Sequence, residues 1–329
     1  MRFPILGVGL MLLASAAAAN DLPELTVMTY DSFVADWGPG PAVEEAFEKT
    51  CECDLKFVSA GDGAALLARI RLEGTRSETD VVLGLDTNLT AEAASTGLFA
   101  PHGLGVPEFD LPVAWDDDTF LPYDWGYFAF VHETALQPAP GSLRDLADSD
   151  LQVVIQDPRS STPGLGLLLW AKAAFGDDAP AFWSDMADNI VTVTPGWSEA
   201  YGMFLEGEAD MVLSYTTSPA YHLIAEGDDS KKAASFAEGH YMQIEVAGKL
   251  AATDQPELAD RFLRFMMSDG FQNIIPTTNW MYPAVVPETG LPEGYETLIE
   301  PKASLLFSAK EAQSLRGAAL DEWLTALSQ

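Results

Sequence analysis

The chain has 329 residues, a formal net charge of −33, 48% hydrophobic residues and two cysteines. The hydrophobic fraction is that of a folding chain. The charge argues against nucleic acid and anionic membrane surfaces as partners. It favours the approach of a cation, although adaptation to salt explains it equally well.

Residues 1–19 read as a secretory signal. Arg2 supplies a positive charge, residues 3–13 form an apolar core interrupted by Pro4 and glycines, and residues 14–19 are small. Cleavage is expected after Ala19, and the stretch is too short to serve as a membrane anchor. Removing Arg2 with it takes the charge from −33 to −34. The remaining chain, about 310 residues, is expected to be exported to the periplasm and to be too long for one compact core. In that oxidising compartment, Cys51 and Cys53 of the string CEC are either a small disulfide loop or two thiols. With no third Cys or His nearby they cannot complete a tetrahedral zinc site.

The first hundred residues alternate strand and helix patterns. Strands are predicted at 25–30 (LTVMTY), 54–59 (DLKFVS) and 80–85 (DVVLGL), with helices at 41–49, 64–72 and 88–95. Repeated βα units imply a largely parallel, doubly wound sheet, with ligands beyond the carboxyl ends of its strands. Those ends fall at Tyr30-Asp31-Ser32, Gly61-Asp62-Gly63 and Gly84-Leu85-Asp86. Residues 101–118 are rich in Pro, Gly and Asp, and an aromatic strand follows at 123–131 (YDWGYFAFV). This marks a crossing into a second lobe. Strands at 151–156, 191–194 and 211–215, with helices at 163–175 and 198–205, continue the rhythm. A strand at 240–250 returns to the first lobe, and residues 256–267 and the last thirty are predicted helical. The mature chain divides into an N-terminal lobe (20–118 and 243–295) and a C-terminal lobe (119–242 and 296–329). Each is an α/β unit with a mixed sheet flanked by helices, and a ligand cleft lies between them.

Catalytic constellations do not assemble. The chain contains no GxSxG, HExxH or P-loop, and its four histidines lack metal-ligand spacing. Three strings suit recognition instead. In QDPRSSTPGLGLLLW a strand runs into Ser161 and Thr162 before Pro163 opens a helix. Thr162 is placed as the N-cap, and the free N–H groups of the first turn form either a plain cap or an anion site. GWSEAYG puts Trp197 where a strand meets a helix. SYTTSPAY puts Tyr215 at a strand end, followed by Thr216, Thr217, Ser218 and Tyr221. Aromatics beside hydroxyls at strand ends suit a flat ring held in a cleft, and Trp280 of TTNWMYP is a further candidate. Asp62, flanked by Gly61 and Gly63, is a turn aspartate or a carboxylate facing a cationic ring.

These residues carry a resemblance. YDSFVADWGPGP (30–41), DVVLGLD (80–86) and the four strings above are similar to the periplasmic thiamine-binding proteins of bacterial ABC transporters, over nearly the whole mature chain. The resemblance implies a two-lobed type II periplasmic binding protein fold and no enzymatic activity. It implies thiamine, thiamine monophosphate or thiamine diphosphate as the ligand, with no cofactor or metal. The implied partner is an ABC permease in the inner membrane, and the protein is expected to be a monomer. Family positions map onto Asp62, Gly63, Ser161, Thr162, Trp197, Tyr215, Thr216, Thr217 and Ser218, with Tyr30, Trp37, Tyr221 and Trp280 as additional cleft residues. Asp62 is expected near the cationic or amino part of the ligand, and Ser161 and Thr162 near its phosphate or hydroxyethyl oxygen. Competing readings are a thiamine-cleaving enzyme similar to thiaminase I, which needs a nucleophilic cysteine in the cleft, and ferric-ion or polyamine binding on the same fold.

Overall fold

The computed structural model describes residues 22–328; the expected signal segment and its cleavage point lie outside them. Among the described residues, no helix is long and apolar enough to cross a membrane.

Among the described residues, eleven strands form the sheet system: β1 (Glu24–Thr29), β2 (Asp54–Ser59), β3 (Val81–Asp86), β4 (Phe120–Glu133), β5 (Val153–Gln156), β6 (Ile190–Thr194), β7 (Met211–Tyr215), β8 (Lys231–Ala233), β9 (His240–Lys249), β10 (Tyr282–Pro283) and β11 (Ser304–Leu305). The main order is β2-β1-β3-β9-β4-β7-β5-β6. Pairing is parallel at both ends, β1 with β2 and β3, and β5 with β6 and β7. In the middle it is antiparallel, with β9 between β3 and β4. All six residues of β3 and all ten of β9 are buried. β3 accordingly reads as a nearly unbroken apolar run, as strands covered on both faces do, whereas β9 buries His240, Gln243, Glu245 and Lys249 among its apolar residues.

β4 and β9 are the long strands that join the two halves. Residues 120–127 of β4 pair with β9, whereas Phe128–His132 pair with β7, so the partner changes between Tyr127 and Phe128. The helices open on local signals. Pro occupies the first turn of Gly40–Cys51, Thr162–Phe175 and Pro256–Met266, where its missing N–H is not needed. In Thr162–Phe175 every residue from Thr162 to Ala171 is buried, as expected of a helix enclosed on all sides. It packs against β9 and the C-terminal helix Ala309–Leu327.

Three local expectations change. Thr162 is the first helical residue and Ser161 the N-cap, whose own side chain makes no capping bond. The last thirty residues are not all helical. Ser304 and Leu305 pair with His240 and Tyr241, and the helix starts only after Ser308, which with Glu311 makes a capping box. The helix Ala179–Met186 falls where no element was predicted. Cys51 and Cys53 form a disulfide at the end of the helix Gly40–Cys51.

Candidate functional site

The segments that follow β1, β2, β6 and β7 converge with β9 and the loop at 277–281 around a cavity of about 500 Å³. Its position follows from the topology, because strand-to-helix turns gather at the carboxyl ends of a parallel sheet.

Aromatic rings form much of the wall. Trp197, the first residue of its helix, stacks on Tyr201 one turn later, with centroids 4.9 Å apart and planes at 24°. Tyr201 stacks in turn on His222 at 5.9 Å. Its hydroxyl is 2.9 Å from His222 Nε2, while His222 Nδ1 donates to Glu226 at 2.7 Å. His222, Glu226 and Asp228 lie close enough to share a metal, but both ring nitrogens of His222 are already engaged. Trp197 Nε1 donates to Ser214 Oγ at 2.8 Å, and Ser214 Oγ is 2.7 Å from Ser218 Oγ, so hydroxyls of the SYTTSPAY turn orient the indole. Trp37 approaches Trp197 at 6.1 Å and is more than half exposed, at 55%. Tyr221 meets Trp280 edge to face at 5.5 Å. Trp280 holds a left-handed backbone, φ 58°, a conformation that costs a large L-residue about 1–2 kcal/mol.

The second feature joins the two halves of the chain. Asp62, N-cap of the helix Gly63–Glu73, accepts from Gly63 N at 2.8 Å. It also accepts Ser161 Oγ at 2.7 Å and Thr162 Oγ1 at 3.0 Å. Gly63 N approaches Thr162 Oγ1 at 3.2 Å, and a Cβ at Gly63 would lie 2.3 Å from that oxygen, so only glycine permits the contact. One carboxylate therefore serves the N-termini of two helices, each of which favours negative charge. Burial pushes the Asp62 carboxyl up, opposed by these hydrogen bonds, Ser161 first. The residues expected at opposite ends of a ligand are thus hydrogen-bonded to each other.

The floor is acidic. Register sets Asp86 opposite Glu245 on β3 and β9, and Glu245 opposite Asp124 on β9 and β4, which places three carboxyls in a row on one sheet face. Tyr30 and Tyr123 hydroxyls reach Glu245 Oε2 at 3.0 and 2.7 Å. Asn279 donates to Asp124 at 2.6 Å, and its Oδ1 lies 3.1 Å from the Tyr30 hydroxyl. Burial pushes both Asp86 and Glu245 up to about 7. Asp124 is driven well above the carboxylate range, by burial first and then by the charge of Glu245. The Tyr30 ring fits only because residue 84 is glycine. A Cβ there would lie 2.3 Å from the ring, and φ of 104° at a β-bulge excludes most other residues.

Of the residues expected from sequence, Tyr30, Trp37, Asp62, Trp197, Tyr215, Ser218, Tyr221 and Trp280 line the cavity. Gly63, Ser161 and Thr162 sit behind Asp62, joined to it by hydrogen bonds. Thr216 and Thr217 are buried and do not line the cavity: Thr216 N bonds Tyr127 O, and the Thr217 hydroxyl meets Sδ of Met281, which does line it, at 3.6 Å. Tyr201, Gln243, Glu245 and Asn279 line it without having been singled out. A signal existed for two of them. Gln243 and Glu245 are polar residues two apart in the middle of a strand whose other interior residues, 241–248, are apolar, tyrosine or glycine, and so face the same side.

The profile of the family described as bacterial extracellular solute-binding protein matches residues 35–273. The thiamine-binding periplasmic protein of Escherichia coli K12 is 54% identical over 322 residues, 97% of this chain and 98% of that one. A solved periplasmic thiamin binding protein superposes with a TM-score of 0.91 at 54% identity, covering 94% of this chain and 97% of the other. A ferric binding protein from Campylobacter jejuni superposes at 0.77 with 16% identity, over 92% of this chain and 99% of that one, a likeness of fold alone.

Proposed function

The chain belongs to the bacterial extracellular solute-binding protein family, and from that premise we propose that it captures thiamine and its phosphate esters in the periplasm and delivers them to an ABC importer. It has the type II periplasmic binding protein fold. The observation that carries the ligand is the cavity itself, an aromatic wall of Trp197, Tyr201, Tyr215, Tyr221 and Trp280 above an acidic floor at Glu245. A flat cation gains from both, since stacking on each ring contributes about 0.5–2 kcal/mol and a positive charge beside Glu245 favours the ionised form of that carboxyl against the burial that raises it.

Capture follows from the arrangement. The two lobes, 20–118 with 243–295 and 119–242 with 296–329, close over the ligand by a hinge in the strands that join them. The rings clamp the heteroaromatic portion. Ser161, Thr162 and the first N–H groups of the helix Thr162–Phe175 take the phosphate or hydroxyethyl oxygen, a role open to them once Asp62 is displaced. The protein acts as a monomer, the signal is cleaved near Ala19, and the closed complex docks on the inner-membrane permease.

The chemistry of the cysteines supports binding rather than cleavage. Cys51 and Cys53 are tied in a disulfide, and neither lines the cavity, so a thiolate nucleophile of the kind a thiamine-cleaving enzyme needs does not come from them. Calorimetry of the purified protein with thiamine, its mono- and diphosphate, Fe³⁺ and spermidine tests the reading. Saturable heat with the thiamine forms and none with Fe³⁺ or spermidine is the expected result. Saturable binding of Fe³⁺ or spermidine without thiamine would replace it.

A further inference from the structure

Gln243 is fully buried, lines the cavity, and finds no hydrogen-bond partner in the protein for either its amide oxygen or its amide nitrogen. Such a group is costly to bury, about 1–3 kcal/mol for each unmet donor or acceptor. Its surroundings in the protein cannot meet that demand. Opposite it on β4 is Gly126, which has no side chain, and the space beside Gly126 is filled by the Met281 thioether, whose methyl would lie 2.8 Å from a Cβ there. Two residues along the same strand face, Glu245 reaches the same cavity with one carboxylate oxygen already held by Tyr30 and Tyr123.

We propose that Gln243, with Glu245 beside it, reads the aminopyrimidine edge of the ligand, a role that rests on the thiamine reading. A 4-aminopyrimidine presents an exocyclic N–H donor next to a ring-nitrogen acceptor. A carboxamide presents the complementary acceptor and donor at the same spacing, so one Gln243 side chain satisfies both in a paired hydrogen bond. Glu245 then faces the neighbouring ring edge, and the aromatic wall covers the faces. The assignment makes Gln243 a specificity residue. It distinguishes a heteroaromatic amine from a ring of equal size without the amine, because the analogue leaves the buried amide half unmet.

The test compares thiamine with its 4′-deamino analogue by calorimetry, in wild-type protein and in Gln243→Leu, with Gln243→Met as a second variant. Thermal melts confirm that each variant is folded. Wild type is expected to favour thiamine over the analogue by at least about tenfold. Both variants should lose most of that preference while melting no lower than wild type, since an unmet polar group has been removed. Variants that keep the wild-type preference, or that melt well below wild type with the preference intact, overturn the assignment. Wild-type protein that binds neither compound overturns the thiamine reading, and this assignment falls with it.

Discussion

Asp62 Oδ2 accepts a 2.7 Å hydrogen bond from Ser161 Oγ, between residues 99 positions apart in the chain. The bond ties the start of the helix Gly63–Glu73 to that of Thr162–Phe175. It places a carboxylate where a helix N-terminus attracts an anion, so an incoming phosphate meets a site already holding negative charge.

Replacing Asp62 should therefore change ligand preference. Asp62→Ala removes a cap, at a cost of about 1 kcal/mol in stability. It also removes a like charge from the phosphate position. The affinity of thiamine monophosphate relative to thiamine should rise by about tenfold. Titrating both ligands into variant and wild type checks this, and an unchanged ratio counts against Asp62 holding the phosphate position.

Ser161→Ala acts in the opposite direction. Under the proposed assignment the hydroxyl, which donates to Asp62 in the ligand-free protein, donates to a phosphate oxygen in the complex, so the phosphorylated forms should weaken more than free thiamine. Equal losses for all three ligands refute the phosphate assignment.

The aromatic wall is the proposed seat of the ligand's ring. Trp197→Ala or Tyr215→Ala should weaken thiamine by about 1–3 kcal/mol through lost stacking and burial. Trp280→Gly separates binding from folding. It relieves a left-handed backbone that favours glycine, so the apoprotein should melt within a few degrees of wild type while thiamine affinity falls. A large drop in melting temperature with intact affinity would make Trp280 a structural residue only.

The acidic floor should make stability fall as pH rises. Glu245 is raised from 4.5 to about 7, first by burial and then by the charges of Asp62 and Asp86, against the Tyr123 and Tyr30 hydrogen bonds. Asp124 faces it across the strand pair. Between 4.5 and about 7 the folded state holds a proton that the unfolded state has released. The stabilisation is complete below the unfolded value and is lost as pH rises through the folded one. The loss is on the order of 3 kcal/mol. Melting temperatures at pH 4.5 and 7.5 should show the decline, and Glu245→Gln should flatten it; a variant with the wild-type slope would rule Glu245 out as its source.

Much of the fold was legible because its signals are local. Apolar runs, Pro in the first turn of a helix and the Pro- and Gly-rich stretch before β4 each act over a few residues, and they located most strands and the long helices. The aromatics at strand ends were legible for the same reason: the turn that exposes Trp197 or Tyr215 is built from its neighbours. The Asp62–Ser161 bond, the Asp86–Glu245–Asp124 row and the unmet amide of Gln243 were decided only by the tertiary structure. Each depends on the register or approach of segments far apart in sequence, and a one-residue slip in pairing turns a side chain to the other face. Sequence placed Asp62 in the turn after a strand and put the N-cap of the second helix at Thr162, one residue past the observed Ser161. That the two starts meet, and that one carboxylate serves both, follows from how the two halves of the sheet come together.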